Sequence, residues 1–395
     1  MKKTKRAIAA IASAALILAL AGCQNTSTPG VPATSEAYSS PSPIESMASG
    51  ASGTAQNTSN PEQSEPESSG GVPHISAEAT SIDTSYTPPN NSQVGEITEG
   101  ILVLDGGQGI MLYGMEWDIG RSHAAAINKY KEQLGENVNV FSMIVPTQLS
   151  FYLPERYSDL SDGELAHIKD VNKHFSGIIP IDAFSALKDH VGEDIYYRTD
   201  HHWTQLGAYY AAKSFAETAL VPFDNLLAYE KHEKDGYLGS FYGGSNEHPE
   251  IKNNPETFMW FVPKRKVTTT YYDQKCENGY EGSYFFEPED FNASSQWLFT
   301  YMSGDGNVVH VKTELDTGRR LMILKDSYAD SFAPCLFGSF DDIWIADIRF
   351  CGISTVELAK DKGITDLLFC CSAYSAVGDN RYKLEDIQHK LEEIM

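Results

Sequence analysis

Two short stretches of this chain hold residue types that together could activate a hydroxyl. The first is "YYRTDHHWTQLGAYY", in which Asp200, His201, His202 and Trp203 stand side by side. The second, "LMILKDSYADSFAPCL", lies more than a hundred residues later and carries Ser327 behind Asp326. A serine becomes a nucleophile when an imidazole takes its proton and a carboxylate fixes the other ring nitrogen. If residues 199 to 203 run extended, the two-residue period puts Asp200 and His202 on one face and His201 on the other. Asp200 would then orient, His202 would abstract, and His201 would be a neighbour of lesser role. Residues 320 to 325 read as a strand, so Ser327 is expected at a strand-to-helix turn. Free backbone N–H groups at such a turn favour a developing oxyanion.

The same letters fit two other readings. Asp and two His are common metal ligands, although vicinal side chains diverge on a strand and no second His-rich cluster supplies further ligands. A capping Asp and a buried Trp203 would account for the motif without chemistry, just as Asp326 or Ser327 could simply cap the next helix. Ser331, one turn further on, makes a poorer nucleophile because its hydroxyl can fold back onto the helix backbone.

Around these stretches, short apolar runs alternate with amphipathic ones. "ILVLDGGQGIMLYG" reads as a hairpin around Gly106-Gly107, "HAAAINKYKEQLG" as a helix closed by Gly135, and "NVNVFSMIVP" as a buried strand. A helix around 161 to 174, the strand "GIIPID", the extended "DIYYRTD" and a helix capped by Thr204 follow. Residues 221 to 315 are richer in Gly, Asn, Pro and aromatics and read as an irregular β-rich insertion. The alternation then resumes from "RRLMILKDS" to the final helix "KLEDIQHKLEEI". This order predicts a three-layer α/β domain with a mainly parallel sheet, whose ligand crevice lies at the carboxyl ends of the strands.

The N-terminus predicts an export route. Lys2, Lys3, Lys5 and Arg6 precede an uncharged Ala, Ile and Leu run too short to span a bilayer comfortably, and the run ends in Leu20-Ala21-Gly22-Cys23. Residues 1–22 therefore read as a lipoprotein signal peptide, with Cys23 lipidated and the protein held on the outer face of the cytoplasmic membrane of a Gram-positive cell. From Gln24 to Gly100 there is no Leu, Phe, Trp, Lys or Arg. Such composition cannot bury enough apolar area to fold, so residues 23–92 read as a disordered tether with a reach of roughly 45 Å. The folded domain is expected over 93–395.

The formal charge of −24 disfavours nucleic acid as a partner. An anionic wall polymer would need a locally neutral or basic patch. Five cysteines follow Cys23 with neither an even count nor a C-x-x-C pair, which argues against a disulfide framework or a zinc site. Neither a metal nor a cofactor is expected.

Taken together, "YRTDHHWT", "LKDSYADSFAPCL" and "WIADIRF" resemble the bacterial DHHW family, which is similar to the alginate O-acetyltransferase group of SGNH-hydrolase-like proteins. "FSMIVPTQLSFYLPERY" and "YLGSFYGG" resemble supporting parts of that family. The resemblance implies a triad of Ser327, His202 and Asp200, an acyl-serine intermediate, and extracellular transfer of an acetyl group to a surface polysaccharide. It also implies a membrane-bound O-acyltransferase as acyl donor partner. Lys325 stands where ordinary SGNH hydrolases carry a glycine, and their G-x-N-D block is missing. The oxyanion candidates are therefore the backbone N–H of Ser327 or Tyr328 and the side chain of Arg349, for which a structural salt bridge is the alternative. Tyr242, in the "GSFYGGSN" loop, is the candidate acceptor contact. Two rival functions share these features: a carbohydrate esterase using water as acceptor, and a non-catalytic glycan-binding lipoprotein using Phe241, Tyr242, Trp260 and Trp297 as sugar platforms.

Overall fold

The computed structural model describes residues 92–114, 117–377 and 380–389, together with Pro73, Ile75, Ile82, Tyr86 and Pro88. The expected signal peptide, Cys23 and most of the expected tether lie outside the described residues. Packing nevertheless begins before residue 93. Ile82 is buried in the core, Tyr86 meets the rings of Phe151 and Phe184, and the Pro73 carbonyl accepts from Asn139 Nδ2.

A small antiparallel sheet comes first, formed by β1 (Gly95–Thr98), β2 (Ile101–Leu104) and β3 (Gly109–Met111). The main sheet uses β4 (Asn139–Val145) and β5 (Ile179–Pro180). After a separate antiparallel pair, β6 (Tyr229–Tyr237) and β7 (Glu256–Pro263), it takes in β8 (Thr268–Tyr272), β9 (Tyr280–Gly282) and β10 (Val308–Lys312). It is completed by β11 (Arg320–Lys325), β12 (Asp342–Asp347) and β13 (Asp366–Ser372), in the order β5-β4-β13-β11-β12-β10-β8-β9.

The sheet is mixed. From β5 to β12 every pairing is parallel, whereas β12-β10, β10-β8 and β8-β9 are antiparallel. Part of the region expected as an insertion, β8 to β10, thus extends the main sheet, and only the β6-β7 pair stands apart from it. Trp260, Phe241 and Trp297, considered above as sugar platforms, are buried.

β4 and β13 are buried along their whole length, as is β11 after Arg320, which is the pattern of strands covered on both faces. Alternate residues of β11 belong to different cores. Leu321 and Ile323 pack in one cluster with Ala208, Ala211, Ala212 and Phe215 of α3 (Gln205–Thr218). Met322 and Leu324 pack in the other, with Ala126, Ile127 and Tyr130 of α1 (Trp117–Leu134) and Val356, Leu358 and Ala359 of α4 (Thr355–Asp361). Two further helices, α2 (Glu164–Asn172) and α5 (Asn380–His389), complete these layers. Gly135, at φ +73°, closes α1 as the sequence predicts.

Candidate active site

The "TDHHW" stretch is a pinned loop and not an extended strand. Tyr196 and Trp203 form an isolated antiparallel bridge, Thr204 N–H donates to the Ile195 carbonyl at 3.0 Å, and residues 198 to 202 make the head between them. Several elements hold that head. Gln148 Nε2 donates to the carbonyls of Tyr197 (2.5 Å) and Asp200 (2.6 Å). Glu256 of β7 accepts from the backbone N–H groups of Arg198 (2.7 Å) and Thr199 (2.6 Å), and Phe241 N–H donates to the Thr199 carbonyl at 3.0 Å. Thr204 caps α3 by accepting from Gly207 N–H.

Inside this loop Asp200 folds back on its neighbours. Its Oδ1 accepts from the His202 backbone N–H at 2.9 Å and lies 2.6 Å from His202 Nδ1. Its Oδ2 accepts from Ser240 N–H at 2.7 Å. Gly239 makes this approach possible, because a Cβ there would lie 2.3 Å from the Asp200 Cβ. Gly239 of the "GSFYGG" segment therefore serves contact with Asp200. Burial pushes the Asp200 carboxyl up, but His202, His201 and these hydrogen bonds outweigh it and hold the group well below the usual carboxylate range.

The other ring nitrogen of His202, Nε2, is 2.7 Å from Ser327 Oγ. Asp200, His202 and Ser327 thus form one continuous hydrogen-bonded row across 125 residues of sequence. Ser327 opens a short 3-10 turn, Ser327–Ala329, in place of the expected α-helix; Pro334 and the apolar run around it continue as a second 3-10 turn, Ala333–Leu336. Asp326 fastens the turn to the end of β13. Its Oδ1 accepts from Tyr328 N–H (3.1 Å), and its Oδ2 accepts from Ser372 N–H, Ser372 Oγ and Ser375 Oγ. Trp203 joins the loop to the turn by donating its indole N–H to the Tyr328 carbonyl at 2.7 Å. Its ring also stacks on Phe332.

These contacts revise the oxyanion candidates. The Tyr328 N–H is engaged by Asp326, so it is not a free donor. The Ser327 N–H has no acceptor among the described residues. Arg349 follows the end of β12, where the Ile348 N–H donates to the Lys325 carbonyl at 3.0 Å. Its Nε and one terminal nitrogen form a fork on Asp347 (2.8 and 2.7 Å), and that nitrogen also lies 2.8 Å from Asp305. Tyr242 donates its hydroxyl to Glu247 at 2.9 Å and packs beside the small N-terminal sheet.

Lys325 is 1% exposed and sits among three carboxylates: Asp305 and Asp330, each at 2.5 Å, and Asp347 at 3.1 Å. Burial pushes its ammonium down, and the three acids more than reverse this. Burial and the adjacent Asp305 push the Asp330 carboxyl well up, against the pull of Lys325. A proton on Asp330 would let Lys325 and Arg349 balance Asp305 and Asp347. The local sequence gives no sign of this cluster, because its members come from four separate segments.

Asp200, His201 and His202 form the one group of candidate metal ligands among the described residues. Both His202 nitrogens and both Asp200 oxygens already hold protein partners, and His201 Nδ1 lies 2.6 Å from Ser240 Oγ. That donor set fits proton transfer better than metal ligation. The two imidazoles do not diverge as an extended strand would require; their ring centroids are 3.8 Å apart.

Fold and site together define a mixed α/β protein with a Ser–His–Asp row at the carboxyl end of its parallel strands. Residues 75–346 match the sequence pattern described as DHHW protein, and the chain belongs to that family. A crystal structure of a DHHW family protein from Eubacterium siraeum is 37% identical, with a TM-score of 0.71 over 74% of this chain and 98% of that one. Bacillus cereus PatB1, solved with a sulfonyl adduct, has a TM-score of 0.58 at 18% identity, covering 73% of this chain and 97% of its own. The O-acetyltransferase domain of Pseudomonas putida AlgJ gives a TM-score of 0.38 at 12% identity, over 75% and 99% of the two chains. No curated protein sequence matches the chain.

Proposed function

We propose that this protein is an extracellular O-acyltransferase that moves an acetyl group onto a hydroxyl of a cell-surface polysaccharide through an acyl-Ser327 intermediate. The observation that carries the reading is the 2.7 Å contact between His202 Nε2 and Ser327 Oγ, continued by the 2.6 Å contact between His202 Nδ1 and Asp200. His202 takes the Ser327 proton as Oγ attacks the donor carbonyl, and Asp200 stabilises the imidazolium that forms. The Ser327 N–H and the Arg349 guanidinium are the oxyanion donors in this scheme. In the second half, His202 deprotonates the acceptor hydroxyl, whose oxygen displaces Ser327. The fold shared with PatB1, which holds a sulfonyl adduct, fits a covalent mechanism.

Acetyl groups need a source outside the cell, and a membrane-bound O-acyltransferase partner would present them. A lipid on Cys23 would keep the protein beside that partner. The test is intact-mass spectrometry after incubation with p-nitrophenyl acetate. The expected result is one acetyl adduct on the wild type, absent in Ser327→Ala and strongly slowed in His202→Ala. A wild type that neither gains mass nor releases nitrophenol faster than Ser327→Ala would overturn the reading. Turnover of the adduct by added oligosaccharide, measured against water, then separates a transferase from an esterase.

A further inference from the structure

His201 is the part of the D-H-H-W motif with no role in the row just described, and its surroundings are those of a functional group. The residue is 8% exposed. Its Nδ1 lies 2.6 Å from Ser240 Oγ and 3.7 Å from Asp200 Oδ1, while the same oxygen is 2.6 Å from His202 Nδ1. The two rings are tilted by 38° with centroids 3.8 Å apart. Both Nδ1 atoms therefore face one carboxylate, and because Nε2 lies across each ring from Nδ1, both Nε2 atoms face away from it. His202 Nε2 meets Ser327 Oγ there. His201 Nε2 has no partner among the described residues and is not one of the sealed, unpartnered polar atoms of the interior, so it is not closed off from solvent.

The tautomer follows from Ser240. Its hydroxyl oxygen already faces the His201 backbone N–H at 3.4 Å, and the only acceptor described for its own proton is His201 Nδ1. Ser240 donating to Nδ1 leaves the His201 proton on Nε2. Burial and then His202 push the imidazole down to about 3, so the ring stays neutral and does not compete with His202 for a proton. A fixed, uncharged N–H donor thus stands beside the base.

We infer that His201 is a specificity-determining residue for the acceptor: its Nε2–H binds the hydroxyl adjacent to the one that His202 deprotonates, so the paired imidazoles select a vicinal diol. This rests on the acyl-serine reading above. In the transfer step one acceptor hydroxyl gives its proton to His202 Nε2 and its oxygen bonds to the acetyl carbon. The bond from that carbon to Ser327 Oγ breaks, and the proton returns to Oγ. The second hydroxyl of the diol stays intact and accepts from His201 Nε2–H. Water has a single oxygen and gains nothing from the second donor, so the same contact favours transfer over hydrolysis. Sugar rings carry such adjacent hydroxyls, which ties this geometry to the chemical class of acceptor.

The experiment forms the acetyl-enzyme of the full protein with p-nitrophenyl acetate and partitions it between water and two small probes, cis-1,2-cyclohexanediol and cyclohexanol. The partition ratio is read from ester product per acetyl-enzyme consumed, so it does not depend on how fast the intermediate forms. The expected wild-type preference for diol over mono-alcohol is about tenfold after correction for the two hydroxyls, the size of one net hydrogen bond. His201→Phe, which keeps a ring against His202, and His201→Gln, which keeps an N–H donor on a shorter planar group, separate shape from donation. The preference should fall to about one in the Phe variant and be partly retained in Gln. A wild type without diol preference, or a Phe variant that keeps it, overturns the proposal while leaving acyl-serine chemistry intact. Absence of any acetyl-enzyme in the wild type overturns that chemistry, and this inference with it.

Discussion

Replacing Lys325 by Met tests the charge balance beside the Ser327 turn. The two side chains are similar in length, so the change removes a buried positive charge with little loss of packing. In the native cluster Lys325 and Arg349 face Asp305, Asp347 and Asp330, whose carboxyl is the one pushed well up. Removing Lys325 leaves Arg349 against two carboxylates, one uncompensated negative charge in a dry site. At an effective dielectric near 20, each ion contact of about 3 Å has a gross attraction of about 5 kcal/mol. Desolvation offsets most of that, and removing one partner of a buried ion pair costs about 3–5 kcal/mol net. For a domain of this size the corresponding fall in Tm is roughly 6–15 °C.

The assay is urea and thermal denaturation at pH 7 on Lys325→Met and on two double variants. Lys325→Met with Asp305→Asn restores neutrality and should recover most of the loss. Lys325→Met with Asp330→Asn should recover less, because the Asp330 carboxyl is the one pushed toward its neutral form. A single variant costing less than about 1 kcal/mol would refute the charge balance, and equal recovery in the two doubles would refute a proton on Asp330.

Gln148 is the donor that closes the D-H-H loop, and Gln148→Ala leaves the buried carbonyls of Tyr197 and Asp200 unpaired. A stability loss of about 1–3 kcal/mol per stranded carbonyl is expected, and nitrophenyl acetate turnover should fall mainly in kcat. Unchanged kcat in a folded variant would contradict the positioning role. Glu164, buried at the start of α2, accepts from Thr147 N–H and Ser150 Oγ, and burial raises its carboxyl from 4.5 to about 7. Between those values the folded protein holds a proton that the unfolded chain releases, so this group's contribution to stability falls as pH rises from 4.5 to 7 and is level above. The shift corresponds to about 3 kcal/mol. Denaturant titrations from pH 4.5 to 8 should show this slope in the wild type and a shallower one in Glu164→Gln; parallel curves would exclude it.

Periodicity and composition were enough to read much of the framework from the chain alone. The buried runs of β4, β11 and β13, the helix closed by Gly135 and the Thr204 cap are local patterns whose cause lies within a few residues. The trio Asp200, His202 and Ser327 was legible for a different reason: the residue types of a nucleophile, a base and an orienting acid are few and distinctive. The route to that trio was nevertheless wrong in its geometry. Asp200 and His202 meet because a pinned loop folds the carboxylate back onto the ring, not because an extended strand gives them a common face.

What only the tertiary structure decided is everything that depends on segments distant in sequence. The Lys325 cluster draws on residues 305, 325, 330 and 347–349. The Tyr328 N–H is lost as an oxyanion donor to Asp326, Trp203 is tied to the Tyr328 carbonyl, and His201 is held by Ser240 from another segment. Hydrogen-bond partners and desolvation are set by neighbours in space, and a one-dimensional pattern records only neighbours in sequence. The sequence determined which residues could do the chemistry, and the packing of loop, turn and sheet determined that His202 turns Nε2 to Ser327 and Nδ1 to Asp200 while His201 turns Nδ1 to Ser240.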